Sequence, residues 1–278
     1  SMRTVLAGRD GKRISEISED RREIPMGQGS RVEPVPGGTV QLTIDRDLQW
    51  KAQEAIERQV ANTRAEWGSV VIQDVDSGEV LALATAPTFD ANRPGAAPEA
   101  DRGNRPLLDV FEPGSTSKVI TAAAAVEEGA VTPGTRMLVP DSIRRGGRVF
   151  HDSHEHGTLR FTFAGVLAQS SNVGMIMAGE RLSPERMYHY LTGFGLGEPT
   201  GIGLPESRGL LAPYQEWNDS QRYTVLFGQG MAVTALQATG VFATIANGGV
   251  RLTPRLVQGT RSPDGTFTAV PRPVGSRV

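Results

Sequence analysis

The sequence predicts an α+β domain, an antiparallel sheet packed with helices, and three observations carry the prediction. Strand-like alternation of apolar and polar residues sits towards the flanks, at residues 40–44, 69–75, 79–85 and 251–257. Helical patterning fills the middle, between residues 116 and 247. A length of 278 residues with 38% hydrophobic content is enough to bury a sizeable core in one large domain or two modest ones.

Taken in order, residues 1–38 are polar and rich in glycine and charge, and they close on Pro34-Val35-Pro36-Gly37-Gly38, a connecting stretch. We assign 1–38 to the remnant of a preceding module and 39–278 to the main domain. Residues 40–44 alternate like a strand, and Asp45 is placed to cap a helix running to about residue 62. The runs 69–75 and 79–85 flank the Asp76-Ser77-Gly78 turn and form a β-hairpin on which that helix can lie. Prolines and glycines between 87 and 113 give a surface loop. Pro113-Gly114 then turns the chain into a helix over 116–128, closed by Gly129. Residues 130–157 read as irregular, with short strands. Helices follow over 161–169 and 172–181, and again after Ser183-Pro184, where a capping serine precedes a first-turn proline. The last helix, 233–247, stops at Gly248-Gly249.

Composition excludes several classes. A net charge of −2 and dispersed arginines leave no basic stripe for nucleic acid. Without cysteine there is no disulfide and no thiolate metal site. No segment reaches the roughly 18–20 apolar residues of a membrane span. His151, His154 and His156 lie close together, but their spacing matches no helical ligand pair, so no metal is assigned. Gly195, Gly197 and Gly201 only faintly echo a dinucleotide loop, interrupted by Pro199, and read as a turn.

Chemistry concentrates at Ser115-Thr116-Ser117-Lys118. Residues three apart share a helical face, so Lys118 can bring its amine to the Ser115 hydroxyl. Serine is a poor nucleophile until a base takes its proton, and lysine is a base only when neutral. A helix N-terminus and apolar surroundings both disfavour the ammonium form. The chain has only three lysines, Lys12, Lys51 and Lys118, and arginine, always protonated, could not substitute. Taken alone, the four residues are better explained by helix capping, since helices commonly start with serine. A second polar corner, Gln169-Ser170-Ser171-Asn172, offers a hydroxyl to move a proton and an amide to hold a substrate amide, although it too could simply cap a helix.

Glu112 to Lys118, Ser170-Ser171-Asn172, residues 200–206 (TGIGLPE), residues 228–234 (GQGMAVT) and Ala246-Asn247-Gly248-Gly249 together resemble the transpeptidase domain of class B penicillin-binding proteins, over roughly residues 39–258. The resemblance implies the penicillin-binding, serine β-lactamase-like transpeptidase fold, with 1–38 as the end of an N-terminal pedestal. Residues 149–157 lean towards the septal, cell-division branch of actinobacteria.

It also implies roles. Ser115 would attack a peptidoglycan stem peptide ending in D-Ala-D-Ala, with release of D-alanine and formation of an acyl-enzyme, and β-lactams would acylate the same serine. Lys118 would take the serine proton, Ser170 would pass a proton to the leaving amine, and Asn172 would orient the peptide backbone and the Lys118 amine. No cofactor is implied. Implied partners are stem peptides, β-lactams, a membrane glycosyltransferase and division proteins, at the extracytoplasmic face of the cell membrane through an upstream anchor. The family's third motif, Lys-Thr-Gly or Lys-Ser-Gly, follows none of the three lysines. The expectation is therefore a chain that stops before that motif, with a complementary C-terminal fragment as a possible partner. The alternatives within the same fold are a β-lactamase, a D,D-carboxypeptidase, and a β-lactam sensor or division scaffold without turnover.

Overall fold

The computed structural model describes residues 2–20, 22, 24 and 29–278; of the 1–38 segment, residues 1, 21, 23 and 25–28 lie outside the described residues. The chain divides into two compact units, 1–43 with 255–272, and 44–254 with 273–278. In the first, strands Lys12–Ile14 and Ser30–Val32 pair antiparallel, and a three-stranded sheet runs Phe267–Ala269, Val257–Arg261, Thr39–Leu42. The division falls after Thr43 because the strand Thr39–Leu42 finds its ladder partner in Val257–Arg261, which carries 255–272 into the same unit. The strand expected over 251–257 is broken: Val250–Arg251 and Val257–Arg261 are separate strands. Pro254, with no N–H to give a ladder, stands between them.

The second unit begins at Asp45, whose Oδ1 accepts from the Asp47 and Leu48 amides at 3.0 and 2.9 Å and starts α1 (Arg46–Thr63). Strands β1 (Gly68–Gln73) and β2 (Val80–Ala86) form the expected hairpin. Helix α1 lies on it through small residues, Ala52 against Ala82 and Ala84, rimmed by Leu48, Ile56, Val70 and Ile72. The same helix covers the outer edge of β2. Gln49 Nε2 donates to Leu83 O at 3.2 Å, Gln49 Oε1 accepts from Leu83 N at 2.7 Å, and Gln53 Nε2 donates to Thr85 O at 2.8 Å. Two amide side chains thus stand in for a neighbouring strand.

The expected loop 87–113 contains a short helix, Arg105–Leu108, and leads to a tight turn, Gly114–Ser117, that runs directly into α2 (Lys118–Glu127). Short strands follow: β3 (Arg136–Val139), β4 (Ser142–Arg145), β5 (Arg148–His151) and β6 (Leu159–Thr162), with β3 paired to β6 and β4 to β5. The helix expected from residue 161 begins at 163. Phe161 belongs to β6, whose partner lies about two dozen residues upstream and leaves no trace in the local pattern, and the Thr162 hydroxyl accepts from Gly165 N to cap α3 (Phe163–Ala168).

Helices α4 (Asn172–Gly179), α5 (Pro184–Gly193) and α6 (Ala235–Ala246) complete the body. Helix α2 is sandwiched by two cores. One holds Ile120, Ile176, Leu191 and Leu226, the other Ala125, Val166, Val173 and Met175. Close approach of α4 to α2 needs Gly179, where a Cβ would meet Leu226 Cδ2 at 2.8 Å and Thr121 Cγ2 at 2.9 Å.

Candidate active site

Backbone contacts from a distant segment fix the turn that carries Ser115. Phe111 and Val233 exchange hydrogen bonds at 3.0 and 2.9 Å, Gly114 N donates to Gly228 O at 2.9 Å, and Gly230 N donates to Glu112 Oε1 at 2.9 Å. Thr116 Oγ1 and Ser117 Oγ fold back onto Pro113 O and Gly114 O at 2.7 and 2.9 Å. Gly228 has φ +84°, and a Cβ there would stand 2.0 Å from Gly114 O and 2.3 Å from Ser117 Oγ. Only glycine lets the two segments meet. The turn leaves Ser115 exposed in the first turn of a helix, where N–H groups have no intrahelical acceptor.

Three residues on, Lys118 is 1% exposed, the largest fully buried side chain of the unit's core. Both hydrogen bonds of its Nζ run to Ser170, one to the backbone carbonyl and one to Oγ at 3.1 Å. Burial pushes the amine down from 10.5 to about 8, partly opposed by the negative charge of Asp152. The sequence expects this amine beside the Ser115 hydroxyl, oriented by Asn172; the hydrogen bonds formed instead join the amine to Ser170 and Asn172 to His151.

The Ser170 corner is held from both sides. Ser170 N donates to Leu167 O and Ser171 N to Val166 O, each at 3.0 Å, and Ser171 Oγ caps α4 by accepting from Gly174 N at 2.8 Å. Ser170 itself has φ +55°, a left-handed conformation that a non-glycine residue rarely adopts. Asp152, just beyond β5, accepts from Ser171 Oγ at 2.7 Å, from Val173 N at 2.9 Å and from His156 Nε2 at 3.1 Å. Burial raises its carboxyl, but the bonds from Ser171, the Val173 backbone N–H, His156 and the Asn172 backbone N–H outweigh that and hold it below the usual value. His156 is held above its ordinary value by its bond to Gly157 O and then by Asp152.

Asn172 Nδ2 donates to His151 O at 3.1 Å, so this amide is tied to the end of β5. Ser115 and Asn172 line one cleft of about 250 Å³, together with Arg148, Val149, His151 and Gln229. The four residues expected from the sequence therefore fall into two linked pairs, Ser115 with Asn172 at the cleft and Lys118 with Ser170 by hydrogen bond. Asp152 and Gln229 fall inside stretches that carry the family resemblance but received no role from the sequence, and Arg148 was not singled out. Asp152 lies 18 residues before Ser170 in an irregular segment, and no local spacing marks it. Among the described residues no group of three or more His, Asp or Glu side chains could hold a metal, and no helix is long and apolar enough to cross a membrane.

The profile of the penicillin binding protein transpeptidase domain matches residues 68–277. The chain belongs to the penicillin-binding protein transpeptidase family. Among its relatives are penicillin-binding protein PbpB of Mycolicibacterium smegmatis, 42% identical over all of this chain and 43% of that protein, and PbpB of Mycobacterium tuberculosis, 41% identical over all of this chain and 41% of that protein. Peptidoglycan D,D-transpeptidase FtsI of Escherichia coli is 35% identical over 88% of this chain and 41% of FtsI. Among solved structures, penicillin binding protein 3 of Mycobacterium tuberculosis in complex with aztreonam aligns with a TM-score of 0.85 at 39% identity, covering 95% of this chain and 62% of that one. The chain thus spans less than half the length of these curated relatives. The likeness to solved penicillin-binding proteins extends to the mixed helix and sheet architecture, which agrees with the fold expected from sequence.

Proposed function

We propose that the protein containing this chain is a peptidoglycan D,D-transpeptidase with Ser115 as its nucleophile. The observation that carries the reading is the buried amine of Lys118, lowered to about 8 and hydrogen-bonded to Ser170, one helical turn from the exposed Ser115 at the mouth of a cleft. A lysine poised this way is partly neutral near physiological pH and can act as a base. Ser115 Oγ attacks the carbonyl of the penultimate D-alanine as Lys118 takes its proton. The tetrahedral oxyanion is met by the Ser115 N–H, a donation typically worth about 2.7–4 kcal/mol. Collapse breaks the peptide bond, the proton returns by way of Ser170 to the departing amine, and D-alanine leaves. The amine of a second stem peptide then attacks the acyl-enzyme and restores Ser115. Asn172 at the cleft wall holds the donor peptide amide, donating and accepting at once.

By the same reading β-lactams acylate Ser115, as the relative solved with aztreonam invites. The septal branch, a membrane glycosyltransferase partner, division proteins, and anchorage at the extracytoplasmic face belong to this proposal. So does the assignment of 1–38 to a pedestal end and of 39–278 to the transpeptidase domain. The chain spans less than half the length of the PbpB and FtsI relatives, so the test is made on the full-length protein. A labelled penicillin should bind stably, and Ser115→Ala should abolish the label. Rapid release of the hydrolysed drug would assign a β-lactamase instead, and no label on the wild type would leave a scaffold.

A further inference from the structure

The Asp152 side chain is 91% shielded from solvent, and its carboxylate gathers bonds from three successive positions of one corner, Ser171, Asn172 and Val173, as well as from His156. A helix N-terminus explains part of this, since an acidic group there satisfies free amides. Capping alone does not need it, because Ser171 Oγ already caps α4. What the carboxylate adds is restraint directly after Ser170. That residue is held at φ +55° with its carbonyl and hydroxyl both turned to Lys118, a conformation that persists only where its surroundings over-determine it. The upstream side is tied by bonds to Leu167 and Val166, and Asp152 ties the downstream side.

The charge on Asp152 also has a direction. Of the elements packed on α2, helices α3 and α4 and the turn Val225–Phe227 carry no charged side chain. Helix α5 brings Arg186 and Tyr190 to Glu128, at the opposite end of α2 from Lys118. Among the described residues, the charge that favours the ammonium form of Lys118 is that of Asp152. Around Asp152 stand His156, in contact at 3.1 Å, and beyond it Asp141, which accepts from His156 N at 3.0 Å and lies 3.9 Å from His151.

We propose that Asp152 is a positioning residue for acyl transfer: its carboxylate clamps the Ser170–Asn172 corner against Lys118 and sets the charge that the amine meets. It touches no substrate and acts through Lys118 and Ser170. The inference rests on the proposed function, since Lys118 must be the base for its environment to matter.

The test is the pH dependence of Ser115 acylation by a labelled penicillin in the full-length protein, wild type against Asp152→Asn. Asparagine keeps the shape, its Oδ1 can still accept from Val173 N, and its amide can donate to Ser171 Oγ and to a neutral His156 Nε2. The charge is lost and the direction of the bonds to Ser171 and His156 reverses, while the shape and the bond from Val173 stay. The ammonium form of Lys118 then keeps its bonds to Ser170 but loses the negative charge that favours it, so the acid limb of the profile should move to lower pH, by about half a unit or more. Ser171→Ala keeps the charge and loosens the clamp, and should slow acylation several-fold with the limb in place. An Asp152→Asn limb that stays at the wild-type pH, whatever the rate, overturns the proposal, and so does Ser171→Ala acylating at the wild-type rate. If Asp152→Asn does not fold, Asp152→Ser is read by the same criterion. Failure of the wild type itself to be labelled at Ser115 would defeat the functional reading, a separate outcome from an unmoved limb.

Discussion

Lys118→Met separates the energetic burden of the buried amine from its chemical use. Methionine is unbranched and close to lysine in length, so it can fill the same slot without an ionisable group. In the folded state the amine titrates at about 8 against 10.5 when exposed, which amounts to roughly 3 kcal/mol of stability withheld whenever the amine must be charged. The sign follows from proton counting. Between these two values the unfolded chain binds more protons than the folded one, so stability rises with pH across the window. The difference in unfolding free energy, wild type minus Lys118→Met, should therefore grow by about 2.5 kcal/mol between pH 7 and pH 10, with every other titrating group cancelling in the comparison. Urea unfolding at a series of pH values measures it directly. The chemical return is also calculable. At pH 7 about one amine in ten is neutral, roughly 300 times the share an unperturbed lysine would offer. The variant should accordingly lose Ser115 labelling entirely while being relatively more stable at neutral pH. A stability difference that stays flat from pH 7 to pH 10 would refute the account of Lys118 as a desolvated base.

Three further outcomes test the scaffold. Lys118→Arg should abolish labelling despite keeping charge and approximate length, because the guanidinium cannot give up its proton; retained labelling would count against Lys118 as the base. Leu191→Ala, at a fully buried position in the core against α2, should lower unfolding free energy by about 2–5 kcal/mol in urea titrations. His156 is held above its ordinary value, so its contribution to stability is present in full below about pH 6.5 and fades as pH rises through the folded-state value. Thermal midpoints of wild type and His156→Gln should differ most near pH 5–6 and converge towards pH 8.

Local signals carried much of this molecule. Asp45 as a cap, the hairpin around Asp76-Ser77-Gly78, Ser183-Pro184 and the stop at Gly248-Gly249 are all decided within a few residues of themselves, and each appears close to where the sequence puts it. Two of the departures share one cause. The Phe161 strand and the grouping of 255–272 with 1–43 depend on ladder partners far away in the chain, whereas the break at Pro254 is local. The site divides in the same way. Ser115 and Lys118 announce themselves because helical spacing joins them, and Ser170 and Asn172 because a polar corner interrupts two apolar helices. Asp152 is silent in the sequence because its whole effect comes from the end of β5 meeting the start of α4.

The nucleophile and its base are mounted by different physics, and that makes them separable. The Ser115 turn is positioned by backbone contact with Gly228, whose missing side chain leaves room for Gly114 O. Lys118 is positioned by burial of α2 and by the Ser170 corner. Gly228→Ala must push Gly114 away, since a Cβ at 2.0 Å from a carbonyl oxygen cannot be accommodated by any rotamer change, and the positive φ of +84° adds strain of its own. The displacement falls on Ser115 and leaves the surroundings of the Lys118 amine in place. Acylation should therefore drop at every pH, by about 100-fold or more for a shift approaching 1 Å, while the acid limb stays where the wild type has it. Asp152→Asn should do the reverse and move the limb. If Gly228→Ala shifts the limb as well, the turn and the amine are one mechanical unit, and the separate roles assigned to them fail together.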